Sequence, residues 1–390
     1  MTPQTFHPTA AQLDQTRQAI AASIDRIRHH PDQRAGAYPY DLLHAPDQPI
    51  YGTVMMFHGF SARPHQLWRL AEYLFRNGFN VYQCTIAGHA LLDPARNWAQ
   101  VDLKPEIAAP LKAKIQADPV LSQYLANIMT NPESFTRPNH LQRVALIARL
   151  VAIEPRLLDI MRAAEQANDP DFDRYFISSH MHYLTAAEAQ LADLEAMPGP
   201  IFTVGLSAGG AVALALAAAH PERVKQVVTY APLLRVYGED RRRYINLAGP
   251  LDISESGWDP NLRFPVGCLT AVDRFGSSYV LSPTSVRSLQ DTPVFLTLTE
   301  NEDAADIETN TTFFDKIGGS ANGNYLHLYP TKDLVPHPMV DPTEISQGMS
   351  NRFWQSLYQE TYRFLTTGNV DLSNLSNLEQ NTDLPAVPAV

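Results

Sequence analysis

The sequence predicts an α/β fold in which a mostly parallel central sheet is flanked by helices. Short apolar segments rich in strand-forming residues alternate with amphipathic helical segments along most of the chain. Such alternation is typical of a parallel sheet covered by helices on both faces. A strand–Gly-x-Ser-x-Gly–helix segment near the middle of the chain, and a long helical interval before it, support the same architecture.

The individual elements follow from periodicity and from turn-forming residues at their ends. The predicted strands are short apolar runs at 51–57, 79–84, 201–204, 224–230, 294–299 and 324–329. The predicted helices lie at 9–30, from Leu67 to Asn77-Gly78, and at 184–196, 208–220 and 348–366.

One interval is too long for a single crossover connection between parallel strands. More than a hundred residues separate the strands at 79–84 and 201–204, and a crossover helix needs far fewer. Residues 93–182 are therefore predicted to form a helical insertion, whose segments 120–129 and 144–161 are apolar on more than one side. Because ligands of such sheets bind beyond the carboxyl ends of the strands, we expect the insertion to form a cap. An extra helical layer that only enlarges the core is the alternative.

These boundaries divide the chain into a core and three additions. The predicted parts are an N-terminal helical extension (1–37), the core (38–92 and 183–367), the helical cap (93–182) and a polar C-terminal tail (368–390). The tail has no periodicity, so we expect it to be disordered and to carry no chemistry.

Composition excludes several classes of function. The 390-residue chain has a formal net charge of −11 and a pI near 5.6, which argues against a nucleic-acid partner because phosphate binding needs clustered Lys and Arg. There is no run of eighteen apolar residues, so no integral membrane segment is predicted. The sequence does not indicate an oligomeric state.

The compartment is inferred from the N-terminus and the cysteines. The first residues lack a basic segment followed by an apolar one, so we expect a cytoplasmic location, although a mature exported form would look the same. The two cysteines, Cys84 and Cys268, exclude a disulfide scaffold and are expected to be free thiols.

The segment Gly205-Leu206-Ser207-Ala208-Gly209 matches the pattern G-x-S-x-G. The pattern alone is weak, since ordinary residue frequencies produce it in roughly one such sequence in ten to twenty. Here a predicted strand precedes it and an Ala- and Leu-rich helix follows, which is the setting that exposes a nucleophilic serine on a sharp turn. Gly205 and Gly209 remove side chains that would collide where the strand and the helix approach. The start of the helix also offers a positive dipole end to a developing oxyanion.

In this order of segments the chain resembles the α/β-hydrolase superfamily, and within it the carboxylesterases and monoacylglycerol-lipase-like serine hydrolases. The resemblance covers about 50–92 and 184–366. It rests on the segments FHGFSARPHQLWRLAEYLFRNGFNVY, IAGHA and GLSAGG and on the acidic and histidine segments that follow them. In IAGHA, Ala87 and Ala90 stand where the family often has Pro and Gly.

The resemblance implies particular roles around the serine. Ser207 would be the nucleophile, and the backbone N–H groups of Phe60 and Ala208 would form the oxyanion hole. The histidines of the same segments, His58 and His89, are interpreted as structural rather than as proton-transfer groups.

A serine hydroxyl needs a base, usually a histidine that is oriented by a carboxylate. The family order is serine, acid, histidine, so the acid is sought in the acidic turn after the strand at 294–299. Asp303 best matches the family position. Asp306, Glu302 and Glu300 remain alternatives, and several of these acids are expected to be solvated or to cap a helix.

Two histidines follow the acidic turn. His337 falls in a loop after the last predicted strand, where catalytic histidines of this fold lie, and is predicted to be the base. His327 lies within that strand and is the second choice. Pro336 and Pro338 flank His337 and restrict its loop.

No cofactor and no metal site is predicted. The pairs His180–His182 and His29–His30 lack the spacing and the partner residues of a zinc site, and no nucleotide-binding glycine pattern is present.

The resulting prediction is a serine hydrolase that cleaves carboxylic esters with Ser207, Asp303 and His337. An apolar, lipid-like monoester is the preferred small-molecule substrate, because the apolar insertion could shield one. An acyltransferase or a lactone or amide hydrolase would use the same triad. A catalytically silent binding protein of this fold would be expected to lack at least one of these residues.

Overall fold

A computed structural model describes residues 3–123, 140–248, 254–257 and 262–389. Its centre is a seven-stranded sheet made of β1 (Tyr40–Leu42), β2 (Gly52–Phe57), β3 (Phe79–Cys84), β6 (Ile201–Leu206), β7 (Val224–Tyr230), β10 (Val294–Thr299) and β11 (Tyr325–Tyr329). Their order across the sheet is β1-β3-β2-β6-β7-β10-β11. Strands β2 to β11 of this sheet run parallel, and only β1 pairs antiparallel, with β3. The predicted parallel sheet is confirmed.

Helices cover both faces of this sheet. The helices outside the insertion are α1 (Ala10–Arg28), α2 (Trp68–Arg76), α8 (His182–Ala192), α9 (Ala208–Ala219), α10 (Glu239–Ala248), α11 (Val266–Arg274), α12 (Pro283–Leu289), α13 (Ile307–Lys316) and α14 (Trp354–Thr367). Helix α9, which follows the serine, is buried from Ala208 to Ala217, which explains why it is apolar on every side.

The two faces of the sheet carry two separate hydrophobic cores. Alternate side chains of β2 enter different cores: Met55 and Phe57 lie in one, Val54 and Met56 in the other. This alternation follows from the two-residue repeat of a strand. Because both faces are covered, the strand carries an unbroken apolar run rather than a polar face.

The insertion at 93–182 begins and ends at a short antiparallel ribbon. Strand β4 (Val101–Leu103) pairs with β5 (Phe176–Ser178). Between and beside them lie the helices α3 (Pro94–Asn97), α4 (Pro105–Ala117), α5 (His140–Ile153), α6 (Leu157–Glu165) and α7 (Phe172–Tyr175). Arg274 of α11 docks the insertion, because its guanidinium donates to the carbonyls of Gln166 and Ala167.

The two helical segments expected in the insertion have different outcomes. Most of 120–129 lies outside the described residues. The segment 144–161 contains parts of two helices, since α5 ends at Ile153 and α6 begins at Leu157. Pro155 accounts for the break, because a proline disfavours helical geometry in the residue before it and lacks an N–H donor.

A second excursion from the sheet lies between β7 and β10. It contains α10, α11 and α12, and a small ribbon in which β8 (Ser254–Ser256) pairs antiparallel with β9 (Arg263–Pro265). This ribbon brings Gly257 close to the segment after β2, since a Cβ on Gly257 would lie 2.6 Å from the Ser61 side chain.

The C-terminal tail, which we expected to be disordered, is packed against α14 and described to residue 389. Leu375 and Val387 are buried in the core on that side. The Gln359 side chain donates to the carbonyls of Asn381 and Pro385. The tail is held by a few buried apolar side chains and by hydrogen bonds from side chains of α14 to its backbone carbonyls. Neither kind of contact produces a periodic pattern in the sequence.

The two cysteines are unpaired and buried, and burial raises the pKa of both thiols. No helix in the described part of the chain is both long and apolar enough to cross a membrane.

Candidate active site

Ser207 sits on the sharp turn between β6 and α9. Its backbone angles are φ 57° and ψ −120°, a left-handed conformation that non-glycine residues rarely adopt. Such a conformation costs about 1–3 kcal/mol and persists only where the surroundings enforce it. Here the Ser207 N–H donates to the Tyr230 carbonyl at 2.9 Å, and the Leu233 N–H donates to the Ser207 carbonyl at 2.9 Å. The backbone of this turn is therefore held by β7 and the segment after it, as well as by its own helix.

The flanking glycines are required by close backbone approach. A Cβ on Gly205 would lie 2.2 Å from the Gly209 carbonyl oxygen, and a Cβ on Gly209 would lie 2.2 Å from the carbonyl oxygen of Phe57. Both distances are far inside van der Waals contact, so neither position accepts a side chain without a shift of the backbone. The collision that the sequence predicted between the strand and the helix is present at Gly205, whereas the close contact of Gly209 is with the end of β2.

The two amides expected to bind an oxyanion are available. Among the described residues, neither the Phe60 N–H nor the Ala208 N–H has a protein hydrogen-bond acceptor. Ala208 is the first residue of α9, so its amide belongs to the positive end of the helix. The Phe60 loop lies beside the serine, since a Cβ on Gly59 would be 3.7 Å from the Cβ of Ser207.

His337 follows β11, and its Nδ1 donates to the Glu302 carboxylate, with an Nδ1–Oε2 distance of 2.8 Å. The Glu302 side chain has no exposed surface, and it also accepts the Ala305 N–H at 3.0 Å. Burial by itself lowers the pKa of His337, but the charge of Glu302 and its hydrogen bond outweigh burial and raise this pKa above its usual value. Donation through Nδ1 leaves the lone pair of the imidazole on Nε2, as a general base requires.

The acid that contacts the histidine is therefore not the one the sequence favoured. Asp303, the predicted partner, has a carboxylate oxygen within 4.8 Å of a His337 ring nitrogen but makes no hydrogen bond to it, and it accepts one from Gln347 at 2.7 Å instead. The adjacent residue Glu302 takes its place because the turn after β10 directs this side chain inward. Nothing in the single sequence separates two consecutive acids, since the direction of each side chain depends on the backbone of the turn.

The other candidate acids have structural partners. Asp306 caps α13 by accepting the Thr309 N–H and forms an ion pair with Arg242 at 2.9 Å. Burial would raise the pKa of Asp306, but these hydrogen bonds and the arginine lower it. Glu300 accepts the N–H of Thr331 at 2.7 Å.

The alternative base, His327, lies inside β11 as expected. Its Nε2 is buried and has no hydrogen-bond partner, and burial lowers its pKa to about 4. His327 is therefore neutral at ordinary pH. Among the described residues, its Nε2 makes no hydrogen bond to Glu300, Glu302, Asp303 or Asp306.

The histidines near the serine are held neutral by burial. His58 donates through Nδ1 to the Gly59 carbonyl at 2.8 Å, and its Nε2 accepts the Ile86 N–H at 3.3 Å. Burial lowers the pKa of His58 to about 3. His89 has a lowered pKa for the same reason and stacks on Trp98, with ring centroids 3.6 Å apart. These contacts fit the structural interpretation of both residues.

A buried aromatic cluster packs around the Phe60 ring in the candidate oxyanion loop. The Phe60 ring makes edge contacts with His89, Trp98 and Phe264, with centroid distances of 5.2, 5.3 and 4.9 Å. Trp98 belongs to the insertion and Phe264 to β9, so the insertion and the segment between β7 and β10 contact each other in this cluster. Sequence reasoning missed this cluster, because its members are far apart along the chain.

Ser207 and His337 follow parallel strands that end at the same edge of the sheet. Among the described residues no hydrogen bond joins the Ser207 hydroxyl to His337. Such bonds are often long without substrate and shorten in the reacting complex.

The sequence predicted no metal site. Within the described residues, the one group of three side chains that could share an ion is Glu302, Asp303 and His337. The hydrogen bond between His337 and Glu302 already occupies one potential ligand atom of each of these two residues. His180, whose spacing from His182 did not fit a zinc site, makes hydrogen bonds with the hydroxyls of Ser178 and Ser278.

Comparison with known proteins gives the class of this fold. A soluble variant of monoglyceride lipase from Saccharomyces cerevisiae has a TM-score of 0.50 and 13% sequence identity, over 86% of this chain and 92% of that one. A monoacylglycerol lipase from Paleococcus ferrophilus has a TM-score of 0.47 and 12% identity, over 85% and 99%. A metagenome-derived lipolytic enzyme has a TM-score of 0.48 and 15% identity, over 85% and 98%. The first of these matches shows that the chain has the α/β-hydrolase fold, as the sequence predicted.

A family comparison adds a statement about activity. The Esterase family model matches residues 162–329, a stretch that contains Ser207 and Glu302 and ends before His337. This match supports an ester hydrolase. No curated protein matches the chain.

Proposed function

We propose that the protein is a serine hydrolase that cleaves carboxylic esters through an acyl-enzyme. His337 takes the proton of the Ser207 hydroxyl as its oxygen attacks the ester carbonyl, and Glu302 stabilises the imidazolium. The Phe60 and Ala208 amides bind the negative oxygen of the tetrahedral intermediate. His337 then protonates the leaving alcohol and later activates the water that releases the acid.

The observation that carries this proposal is the backbone of Ser207. A strained serine between a buried strand and a buried helix has a cost in stability that a purely structural turn would avoid with glycine. The amides of Phe60 and Ala208 support the proposal, since neither has a protein acceptor among the described residues and the Phe60 loop lies next to the serine. The buried Glu302–His337 pair at the same edge of the sheet supplies the matching base.

An apolar acyl or alcohol group is the substrate feature that the site supports best. Phe60 carries a candidate oxyanion amide and at the same time presents its ring to Trp98 and Phe264. A substrate bound at this amide therefore lies next to the half-buried Phe60 ring, which packs in an aromatic cluster. Apolar walls with a few placed polar groups are typical of sites for small apolar ligands.

The proposal is tested with p-nitrophenyl esters from acetate to palmitate. We expect turnover by the wild type and a loss of about 10⁵-fold or more in kcat for Ser207→Ala. Ser376→Ala, which removes the hydroxyl of an exposed serine in the tail, is the matched control and keeps full activity. A fluorophosphonate should label the wild type at one equivalent and leave Ser207→Ala unlabelled. Equal turnover in the wild type and Ser207→Ala would contradict the nucleophile, and an optimum at acetate would contradict the apolar substrate.

A further inference from the structure

Gln66 joins the loop that carries Phe60 to the loop that carries His337. It lies in the short 3₁₀ turn Pro64–Leu67, just before α2, and is half-buried. Its Oε1 accepts the Gly59 N–H at 2.7 Å, and its Nε2 donates to Glu344 at 3.2 Å. A backbone N–H can only donate, so the amide oxygen must face Gly59, and the orientation of the side chain is fixed by its partners.

The contact with Gly59 bears directly on the Phe60 amide. The Gly59 carbonyl and the Phe60 N–H belong to the same planar peptide group. This carbonyl accepts hydrogen bonds from Nδ1 of His58 at 2.8 Å and from the Ala62 N–H at 3.2 Å. Gln66 holds the other side of Gly59, the residue with the greatest backbone freedom in the loop. With both sides held, the direction of the Phe60 N–H is set before substrate arrives.

The contact with Glu344 reaches the loop that carries His337. Burial raises the pKa of the Glu344 carboxyl to about 8, and the nearby charge of His337 acts in the opposite direction. The same loop is attached to α2 by a second contact, an ion pair between Arg69 and Asp341 at 3.3 Å. Loss of the Gln66 side chain would therefore free the Gly59 amide while the loop of His337 stays docked.

We propose that Gln66 is a positioning residue, which aims the Phe60 amide at the oxyanion and ties this loop to the loop of His337 through Glu344. The inference rests on the proposed function and adds a residue to it. Gln66 touches neither the nucleophile nor the base through a hydrogen bond, and it acts through Gly59. Preorganised donors stabilise a transition state because they need no rearrangement during the reaction.

The test separates transition-state binding from stability. Gln66→Met keeps the length of the side chain and removes both hydrogen bonds, so we expect kcat to fall about 10- to 100-fold with KM within threefold. The affinity for a trifluoromethyl ketone, which forms a tetrahedral adduct with the serine, should fall in parallel. Gln66→Glu retains an acceptor for the Gly59 N–H and should recover part of kcat.

The matched control is Gln15→Met, the same change at an exposed position of α1, with activity equal to the wild type. Thermal unfolding of Gln66→Met should stay within a few degrees of the wild type. A kcat within twofold of the wild type, or a rise in KM alone, would overturn the inference while leaving the serine mechanism intact. Absence of ester turnover and of fluorophosphonate labelling in the wild type would overturn the proposed function, and this inference with it.

Discussion

The Nδ1 atom of His337 donates its hydrogen bond to Glu302, at 2.8 Å from Oε2, and not to the neighbouring Asp303. Glu302 has no exposed side-chain surface, whereas Asp303 is bonded to Gln347 on the outside of the turn. This difference between adjacent carboxylates decides which of them can orient the imidazole.

We therefore predict that Glu302→Gln lowers kcat by about 10³–10⁴-fold, because the amide no longer stabilises the imidazolium or the required tautomer. Asp303→Asn is the matched control and should keep kcat within about threefold of the wild type. The measurement is steady-state hydrolysis of a p-nitrophenyl ester at a pH where the wild type is fully active. The reverse pattern would assign the role to Asp303.

The pH dependence should report the raised pKa of His337. The base must be neutral, so activity is present above this pKa and is lost as the pH falls through it. Since Glu302 raises the pKa above the ordinary 6.5, we expect kcat/KM to decline with a midpoint above that value. In Glu302→Gln the residual activity should show a midpoint at lower pH. An unchanged midpoint in this variant would mean that Glu302 does not set the charge of the histidine.

Gly209→Ala should prevent the turn at the serine from forming normally. Its Cβ would lie 2.2 Å from the Phe57 carbonyl oxygen, which is backbone and has no flexible end that could move away. We expect a loss of several kcal/mol in the free energy of unfolding, or no soluble protein, by analogy with other overpacked sites. Ala219→Gly, at the end of the same helix, should cost only about 1 kcal/mol. Equal losses in the two variants, measured by urea denaturation, would contradict the close approach.

The C-terminal tail should contribute to stability through individual buried residues. Leu375 is 0% exposed, whereas Leu378, in the same tail, is 58% exposed. Leu375→Ala is expected to lower the free energy of unfolding by about 2–5 kcal/mol, and Leu378→Ala to change it by about 0.5 kcal/mol or less. Similar small effects for both would show that the tail is not packed in solution.

Much of the fold could be predicted from local sequence signals. The strands β3, β7 and β10 coincide with their predicted ranges, because each is a short segment rich in strand-forming residues and bounded by residues typical of turns and loops. The helix after Ser207 was also recognisable, since its burial on all sides demands an unbroken run of small and apolar residues. Pro155 shows the limit of this reasoning, because an apolar segment read as continuous is divided into two helices.

The sequence by itself determined where the serine stands, because the strand–serine–helix pattern is local and Gly205 must clear the backbone of Gly209 only four residues later. Gly209 is instead required by the Phe57 carbonyl of β2, a contact that exists only in the folded chain. Tertiary structure alone decided which acid meets His337, because Glu302 and Asp303 differ only in the direction that a folded turn gives them. It also brought Gln66 between Gly59 and Glu344, two residues far apart along the chain. A contact between distant segments leaves no periodic pattern in the sequence and exists only once the sheet has placed the ends of its strands together.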